Sequence, residues 1–493
     1  MNSETHASNI TFKIINNSAA IVGGDLFYRF ANFLASLMIA RTLGSEGFGQ
    51  FTLIYVYIFF FEIFVQFGLN SLLVREFSQN KGKAAKILGN AIILRVLFVL
   101  AALPIAWFLV RVLGYPFSVR QGVFLASFQL FLTLRPIYET VFRVNLQMVY
   151  PVLWNMVRAF TNLLFVGTVA CFIPQLPWFI LAYLVSGSIA LLGLARFSRR
   201  VTEIDFHLDK NILSHLLKES APLVASACLT MLYYRIDVIM LSLMKDFSAV
   251  GIYSAAIRIG EALTVISSSI FASFFPLLSR SFKEDHQAFR RFVSQGFLAL
   301  LLIGMPVAIG GSLISRDLIP VFFGNEYAPA GFTLAILCWH TFFSFLGGLL
   351  ANILIGCGRQ TVDMWISLIL VLVNVGLNFC LIPIYSFNGA ALATAVTELV
   401  GMIVYFTFTL KDPAIKISFP LKEFLLALRV NLPFLVILIG LRLFLRIPVL
   451  LIVLTSIFLY GILLFWFKIV TWKDIKNYFA FSRNPREEGE GAL

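Results

Sequence analysis

The segment SAAIVGGDLFYRFANFLASLMIA, residues 18–40, decides how this chain reads. As a helix it would run about 35 Å, at about 1.5 Å per residue, enough to cross a hydrocarbon core about 30 Å thick. Yet it carries Asp25 and Arg29 in its middle. An arginine at a bilayer centre costs roughly 2.5–3.5 kcal/mol on insertion scales. Later apolar stretches repeat the feature with Arg135 and Glu139, Arg158, Arg235 and Asp237, and Arg258 and Glu261. Lipid cannot satisfy such groups, so they must face a cavity or neighbouring helices. The pattern points to an internal polar cavity that accepts something anionic.

The rest of the chain extends this reading. Its 493 residues are 59% apolar and 13% charged, where soluble domains carry about 25% charged residues. Stretches of about 20 apolar residues recur from end to end. The fold class is therefore all-α, a polytopic membrane protein. Fourteen spans are expected, at 18–40, 49–70, 87–112, 119–142, 148–173, 177–197, 220–243, 248–278, 292–314, 330–355, 361–384, 388–410, 424–445 and 448–468. The leading MNSETHASNITFKIINNSAA is polar and lacks a charged-then-apolar signal pattern, so the first span is expected to act as the membrane signal.

The net charge of +13 does not mark a nucleic-acid partner. Basic residues crowd alternate loops: Arg75, Lys81, Lys83 and Lys86; Arg199, Arg200, Lys210 and Lys218; Arg280, Lys283, Arg290 and Arg291; Lys411, Lys416 and Lys422; and a tail with Lys473, Lys476, Arg483 and Arg486. The other loops hold only Arg41, Arg111, Arg120, Lys245, Arg316 and Arg446. The positive-inside rule then puts both termini in the cytoplasm. No segment matches an ATP-binding GxxxxGK[ST] loop. The five cysteines lie in or at the ends of apolar stretches without a CxxC pair, so no metal, cofactor or disulfide framework is expected. His340, alone in its span, reads as a packing residue.

Two junctions resemble each other. RTLGSEGFGQFTLIYV (41–56) and SLMKDFSAVGIYSAAIRIGEAL (242–263) both place a turn, a glycine and an aromatic at the opening of a span, with Gly49-Gln50-Phe51 matching Gly251-Ile252-Tyr253. Two six-helix bundles, 1–205 and 206–410, are expected, pseudo-symmetric about an axis along the membrane normal. The remainder, 411–493, would supply two accessory spans and the basic cytoplasmic tail.

Helical spacing sorts the polar residues into stripes. Ser18, Asp25, Arg29, Asn32 and Ser36 share one face, as do Ser254, Arg258, Glu261 and Ser268. Ser226, Thr230, Tyr233 and Asp237 align in another span; Ser367, Asn374 and Asn378, and Glu62 and Gln66, complete the set. Asp25/Arg29, Arg135/Glu139 and Arg258/Glu261 could simply neutralise each other along their helices. Arg95 and Arg158 have no acid at helical spacing, and Arg235 and Asp237 lie on nearly opposite faces. A cationic cavity suits a phosphate or pyrophosphate, which arginine grips with a planar fork of donors. Candidate clamp residues are Arg29, Arg95, Arg158, Arg235 and Arg258. Asp25, Glu62, Asp237 and Glu261 are candidates for a coupling proton or Na+, and Asn32, Asn374 and Asn378 for polar lining.

Five strings carry a family resemblance: ARTLGSEGFGQF (40–51), SAVGIYSAAIRIGEAL (248–263), VFFGNEYAPAG (321–331), LLANILIGCGRQ (349–360) and NVGLNFCLIPIYSFNGAALATAVTELV (374–400). In this order they resemble polysaccharide exporters and O-antigen-type flippases of the multidrug/oligosaccharidyl-lipid/polysaccharide superfamily. The resemblance implies two six-helix bundles working by alternating access in the inner (plasma) membrane. It implies a polyprenyl-(pyro)phosphate-linked glycan as substrate, moved from the cytoplasmic to the outer leaflet, and a polysaccharide polymerase or ligase as partner. Related lipid II flippases carry essential arginines in the first and eighth helices, to which Arg29 and Arg258 correspond by position, although the local motifs differ. In those flippases the last two helices form a groove for the lipid tail. Two alternatives stay open: a multidrug or cation antiporter of the same superfamily, and a membrane glycosyltransferase or polymerase. The first prefers an acidic cavity and the second a sizeable outward loop, so a transporter rather than an enzyme is expected.

Overall fold

In lipid, a helix satisfies its backbone within one segment, and helices are what this chain forms. The computed structural model describes the backbone of residues 2–415, 417, 420–444 and 448–469. Side chains of these residues are described from residue 23 on, except at 71, 81, 222, 223, 225–227, 229–233, 265 and 444. The side chains of Ser18, Lys81, Ser226, Thr230, Tyr233, Lys416, Arg446 and the basic tail residues therefore lie outside the described set.

The described helices run in order α1 (Asn2–Gln66), α2 (Leu69–Gln79), α3 (Ala84–Val112), α4 (Phe117–Ser127), α5 (Arg135–Val144), α6 (Val149–Phe172), α7 (Leu176–Ser198), α8 (Lys210–Met244), α9 (Phe247–Glu284), α10 (His286–Phe323), α11 (Ala330–Gly356), α12 (Gln360–Lys411), α13 (Leu421–Phe444) and α14 (Val449–Trp466). Among the described residues, eleven helical segments are long and apolar enough to cross a membrane. The fold is all-α and polytopic, as composition requires. Large side chains such as Phe108, Phe172, Leu192, Phe379 and Trp466 stand exposed on the helix surfaces, which lipid accommodates.

The expected span 119–142 is not one helix. A 3₁₀ stretch, Phe128–Leu134, separates α4 from α5. Pro136 sits in the first turn of α5 and has no N–H for an α-helical bond back to Leu132, so the chain tightens before it. Nor is 69–79 a plain loop. Leu69, Leu72, Leu73 and Phe77 recur at helical spacing and bury against Leu88 of α3 and Phe142 of α5.

Two long helices break where the backbone turns left-handed. At about 1.5 Å per residue, α12 would run about 78 Å unbroken. Ser386 interrupts it with φ 52°, and Gly389 then lies so close to Leu381 that a Cβ would fall on the Leu381 carbonyl. The α1 break is at Gly44, φ 68°, a conformation glycine adopts without penalty. The amide of Ser45, left without a helical partner, donates to Glu326 Oε1 at 2.7 Å. A bond from the Ser45 hydroxyl and this one from its amide hold the Glu326 carboxyl below the usual glutamate range.

Two compact units divide the chain: Met1–Ala262 with Ile319–Thr333 and Met364–Thr397, and Leu263–Leu318 with Leu334–Asp363 and Glu398–Leu493. In the first, the two resembling junctions meet. A Cβ at Gly49 would fall on the Phe247 carbonyl, and one at Gly251 on the Ser45 carbonyl, so α1 and α9 cross backbone to backbone. Arg41 donates to the carbonyls of Phe322 (2.7 Å) and Val321 (2.5 Å) at the end of α10, and Tyr327 Oη donates to the Ala40 carbonyl at 2.9 Å. In the second unit, α13 and α14 are fastened to α10. Tyr460 donates to the Leu302 carbonyl at 2.6 Å, Arg442 pairs with Asp317 at 3.2 Å, and Ser294 bonds Glu423. Arg359 pairs with Asp412 at 2.8 Å and keeps that carboxyl below its ordinary range.

Candidate functional site

The half of α1 beyond the Gly44 break presents Thr52, Tyr55, Val56, Phe59 and Glu62 to one cavity. The first four have i, i+3, i+4, i+7 spacing, a single helical face. Arg235 and Val238 enter from α8, and Ser254, Ile257 and Arg258 from α9. The space measures about 180 Å³. Pockets for drug-sized ligands run at about 300–1,000 Å³. In this conformation the cavity can hold a phosphate-sized group but not an oligosaccharide.

Glu261 organises the cations. Arg235 Nη2 lies 2.9 Å from its Oε1 and Arg258 Nη1 3.3 Å from its Oε2. The three side chains keep 30–37% of their surface open. One carboxylate thus holds two guanidinium groups and leaves a net positive charge facing the opening. Arg158 stands nearby over the ring of Tyr28, 5.7 Å from its centroid, and its charge reaches Glu62 and Tyr55. Around the cavity, three arginines therefore face two glutamates.

Aromatic and amide side chains build the wall behind them. Tyr55 packs on Tyr183 with ring centroids 5.3 Å apart, and Phe51 touches both. Gln129 donates to Tyr55 Oη at 2.6 Å. Asn32 joins here: Asn162 donates to its Oδ1 at 3.4 Å, and Ser186 donates to Asn162 Oδ1 at 3.4 Å.

The remaining candidates lie apart from the cavity lining. Arg29 pairs with Asp25 at 2.6 Å, both about half exposed. Arg95 is fully buried; it donates to the carbonyls of Thr133 (2.6 Å) and Gln66 (3.2 Å) and to Asn70 Oδ1 (3.1 Å). That clamps the end of α1 to the 3₁₀ stretch and leaves only Nε without a partner. Asp237 is buried, bonded to the Tyr253 hydroxyl and to the Val238 amide at 2.8 Å. Asn378 donates to Asn374 Oδ1 at 2.9 Å, and Asn374 to Thr397 at 3.4 Å, inside the α12 hairpin. Arg135 pairs with Glu139 at 2.5 Å.

Thr52, Tyr55, Tyr28, Tyr183 and Gln129 were not singled out in the sequence. One signal was available, since Tyr55 and Glu62 lie seven apart on one face. Tyrosines among so many aromatics do not otherwise declare which of them are wall and which are membrane surface.

The polysaccharide biosynthesis protein family matches residues 14–282, and a second family, MatE, matches 222–380. The probable low-salt glycan biosynthesis flippase Agl15 of Haloferax volcanii is 24% identical over 412 residues, 82% of this chain and 85% of that protein. The capsular polysaccharide biosynthesis protein CapF of Staphylococcus aureus is 28% identical over 208 residues, 42% of this chain and 52% of that protein, so the chain spans about half the length of that relative. The lipid II flippase MurJ in an inward closed conformation superposes with a TM-score of 0.77 at 17% identity, over 91% of this chain and 98% of that one. The family match covers more than half of the sequence: the chain belongs to the polysaccharide biosynthesis protein family, within the multidrug/oligosaccharidyl-lipid/polysaccharide superfamily of transporters.

Proposed function

We propose that this chain is a flippase that binds a polyprenyl-(pyro)phosphate-linked glycan from the cytoplasmic leaflet and releases it to the outer leaflet by alternating access. One observation carries the reading: Arg235 and Arg258 converge on Glu261 at a small cavity among membrane-spanning helices, with Arg158 beside them. These arginines take the phosphate groups by bidentate hydrogen bonds. The sugar waits outside until the cavity widens, and the lipid tail stays in the bilayer near α13 and α14. The relatives that match, a glycan biosynthesis flippase and a capsular polysaccharide biosynthesis protein, support this substrate class. The chain is a transporter and performs no covalent chemistry on the glycan.

Finer points belong to the same proposal. The segments broken at Gly44 and Ser386 each reach far enough for two crossings, and α8 adds another, which supports fourteen spans. Two six-helix bundles, 1–205 and 206–410, with 411–493 accessory, follow from the repeat. Both termini face the cytoplasm on the loop charges. Arg95 holds helices together rather than substrate, and Arg29 is neutralised by Asp25 until the cavity opens. Glu62, Glu261 and Asp237 are the carboxylates to test for coupling to H+ or Na+, with Asp25 a weaker candidate. A polysaccharide polymerase or ligase would take the product.

The match of MatE to 222–380 favours one second reading, export of organic cations. Proteoliposomes carrying a fluorescent polyprenyl-pyrophosphoryl oligosaccharide separate the two. Flipping should occur with the wild type and collapse in folded Arg235→Ala and Arg258→Ala. Cation efflux without any flipping would overturn the flippase reading.

A further inference from the structure

A groove outside this cavity lies between α3 and α4. Pro104, Trp107, Phe108, Val110 and Arg111 line it from α3, and Phe117, Arg120, Gln121 and Phe124 from α4. It holds about 530 Å³, room for a headgroup and the start of an acyl chain. Its floor is aromatic and fixed: Trp107 donates to Ser127 Oγ at 2.9 Å and packs on Phe124 with centroids 4.9 Å apart. Phe108 and Phe117 stand 65% and 71% exposed along its walls. Arg111 and Arg120 stand at its rim, and no described carboxylate pairs with either.

The charges are out of place for topology alone. The loop between α3 and α4 belongs to the set that holds few basic residues, and the positive-inside rule disfavours basic residues there. Two arginines at the helix ends flanking one such loop, with no described carboxylate as partner and an apolar slot between the same two helices, are complementary to a lipid phosphate with its chain below. We propose that this groove binds an anionic phospholipid of the surrounding leaflet, its phosphate held by Arg111 and Arg120 and its acyl chain laid on Trp107, Phe117 and Phe124. Assigning that leaflet as the outer one rests on the cytoplasmic termini proposed above; binding itself does not.

The test uses the full chain in nanodiscs with brominated-chain phosphatidylglycerol or brominated-chain phosphatidylcholine, reading the tryptophan quenching that is lost in Trp107→Phe. Wild type should be quenched at a lower fraction of phosphatidylglycerol than of phosphatidylcholine. From the strength of one basic residue near an anionic surface, the preference should fall roughly five-fold for Arg111→Gln or Arg120→Gln and about thirty-fold for both. The double Lys variant, which keeps the charges, should retain most of the preference and shows that the site still folds. Equal quenching by the two lipids, or a preference that survives the double Gln variant, would overturn the proposal. Displacement by polyprenyl phosphate at far lower fraction would also overturn it, since the groove would then be a station for substrate. Labelling of Gln121→Cys in a cysteine-free background by a membrane-impermeant maleimide reads the leaflet separately. Labelling only from the cytoplasmic side would move the lipid to the inner leaflet and refute the topology without touching the binding.

Discussion

Glu261 already occupies the two guanidinium groups that a phosphate would need, so substrate must compete with it. Glu261→Gln keeps the shape and removes the charge. Charge-assisted bonds are worth about 1.5–3 kcal/mol each when buried. These side chains keep 30–37% of their surface open, and exposed pairs drop to about 1 kcal/mol or less. Glutamine retains neutral hydrogen bonds, so the competition removed is about 1–1.5 kcal/mol, or roughly ten-fold in affinity. Calorimetry with a short-chain prenyl pyrophosphate in detergent should show about ten-fold tighter binding to Glu261→Gln and weaker binding to Arg258→Gln. Flipping by Glu261→Gln should be slower despite the tighter binding, because no carboxylate returns to displace the phosphate. Equal or weaker binding to Glu261→Gln would refute the reasoning and leave the triad a purely structural pair of ion bonds.

The other predictions concern stability. Arg95→Met removes the donors to the Thr133 and Gln66 carbonyls and to Asn70; a buried acceptor left without a donor costs about 1–3 kcal/mol, so the melting temperature should fall below wild type while the folded fraction keeps its pyrophosphate affinity. Glu326 has its folded pKa depressed by the two Ser45 bonds, so its stabilising contribution is complete above the ordinary glutamate pKa and is lost as pH falls through the depressed value. Thermal melts from pH 6 downward should show this loss in wild type and not in Glu326→Gln.

Fold class was legible because the constraint is severe: lipid leaves helices little competition, and Arg235 or Arg258 in the midst of apolar residues announces an interior. The breaks were legible too: the expected spans close at 40 and reopen at 49, and close at 384 and reopen at 388, on either side of Gly44 and Ser386. The partners were not. Arg258 and Glu261 are i, i+3 and foreseeable, but the bond from Arg235 to Glu261 crosses between helices and has no local signature. Arg95 looked like a ligand for the same reason that it is buried: it has no acid at helical spacing. Apart from Asn70, its partners are backbone carbonyls where α1 ends and where Pro136 tightens the chain, and no side-chain pattern encodes those. The α2 helix was hidden because Arg75 and the lysines that follow it read as a basic loop, although Leu69, Leu72, Leu73 and Phe77 had the spacing.

The geometry of α8 gives the proposed phosphate site a link to a carboxylate. Arg235 and Asp237 are two residues apart, about 200° around a helix with 3.6 residues per turn. Arg235 therefore reaches the cavity while Asp237 turns the other way into a buried bond with Tyr253. Tyr253 and Arg258 both belong to α9, so one helix carries the partner of Asp237 as well as half of the phosphate clamp. On this scheme a phosphate that draws Arg235 and Arg258 together, displacing Glu261, shifts α8 against α9. The Asp237–Tyr253 bond spans the same pair of helices and cannot ignore that shift. When it loosens, Asp237 loses a donor in a buried setting and becomes a better acceptor for a proton or a small cation. Coupling on this scheme needs no direct contact between substrate and ion, only two bonds of opposite facing on one rigid helix. Tyr253→Phe tests that argument: it should leave pyrophosphate affinity near wild type while weakening the dependence of flipping on an imposed ion gradient. Unchanged gradient dependence would place the coupling carboxylate elsewhere, with Glu62 next in line.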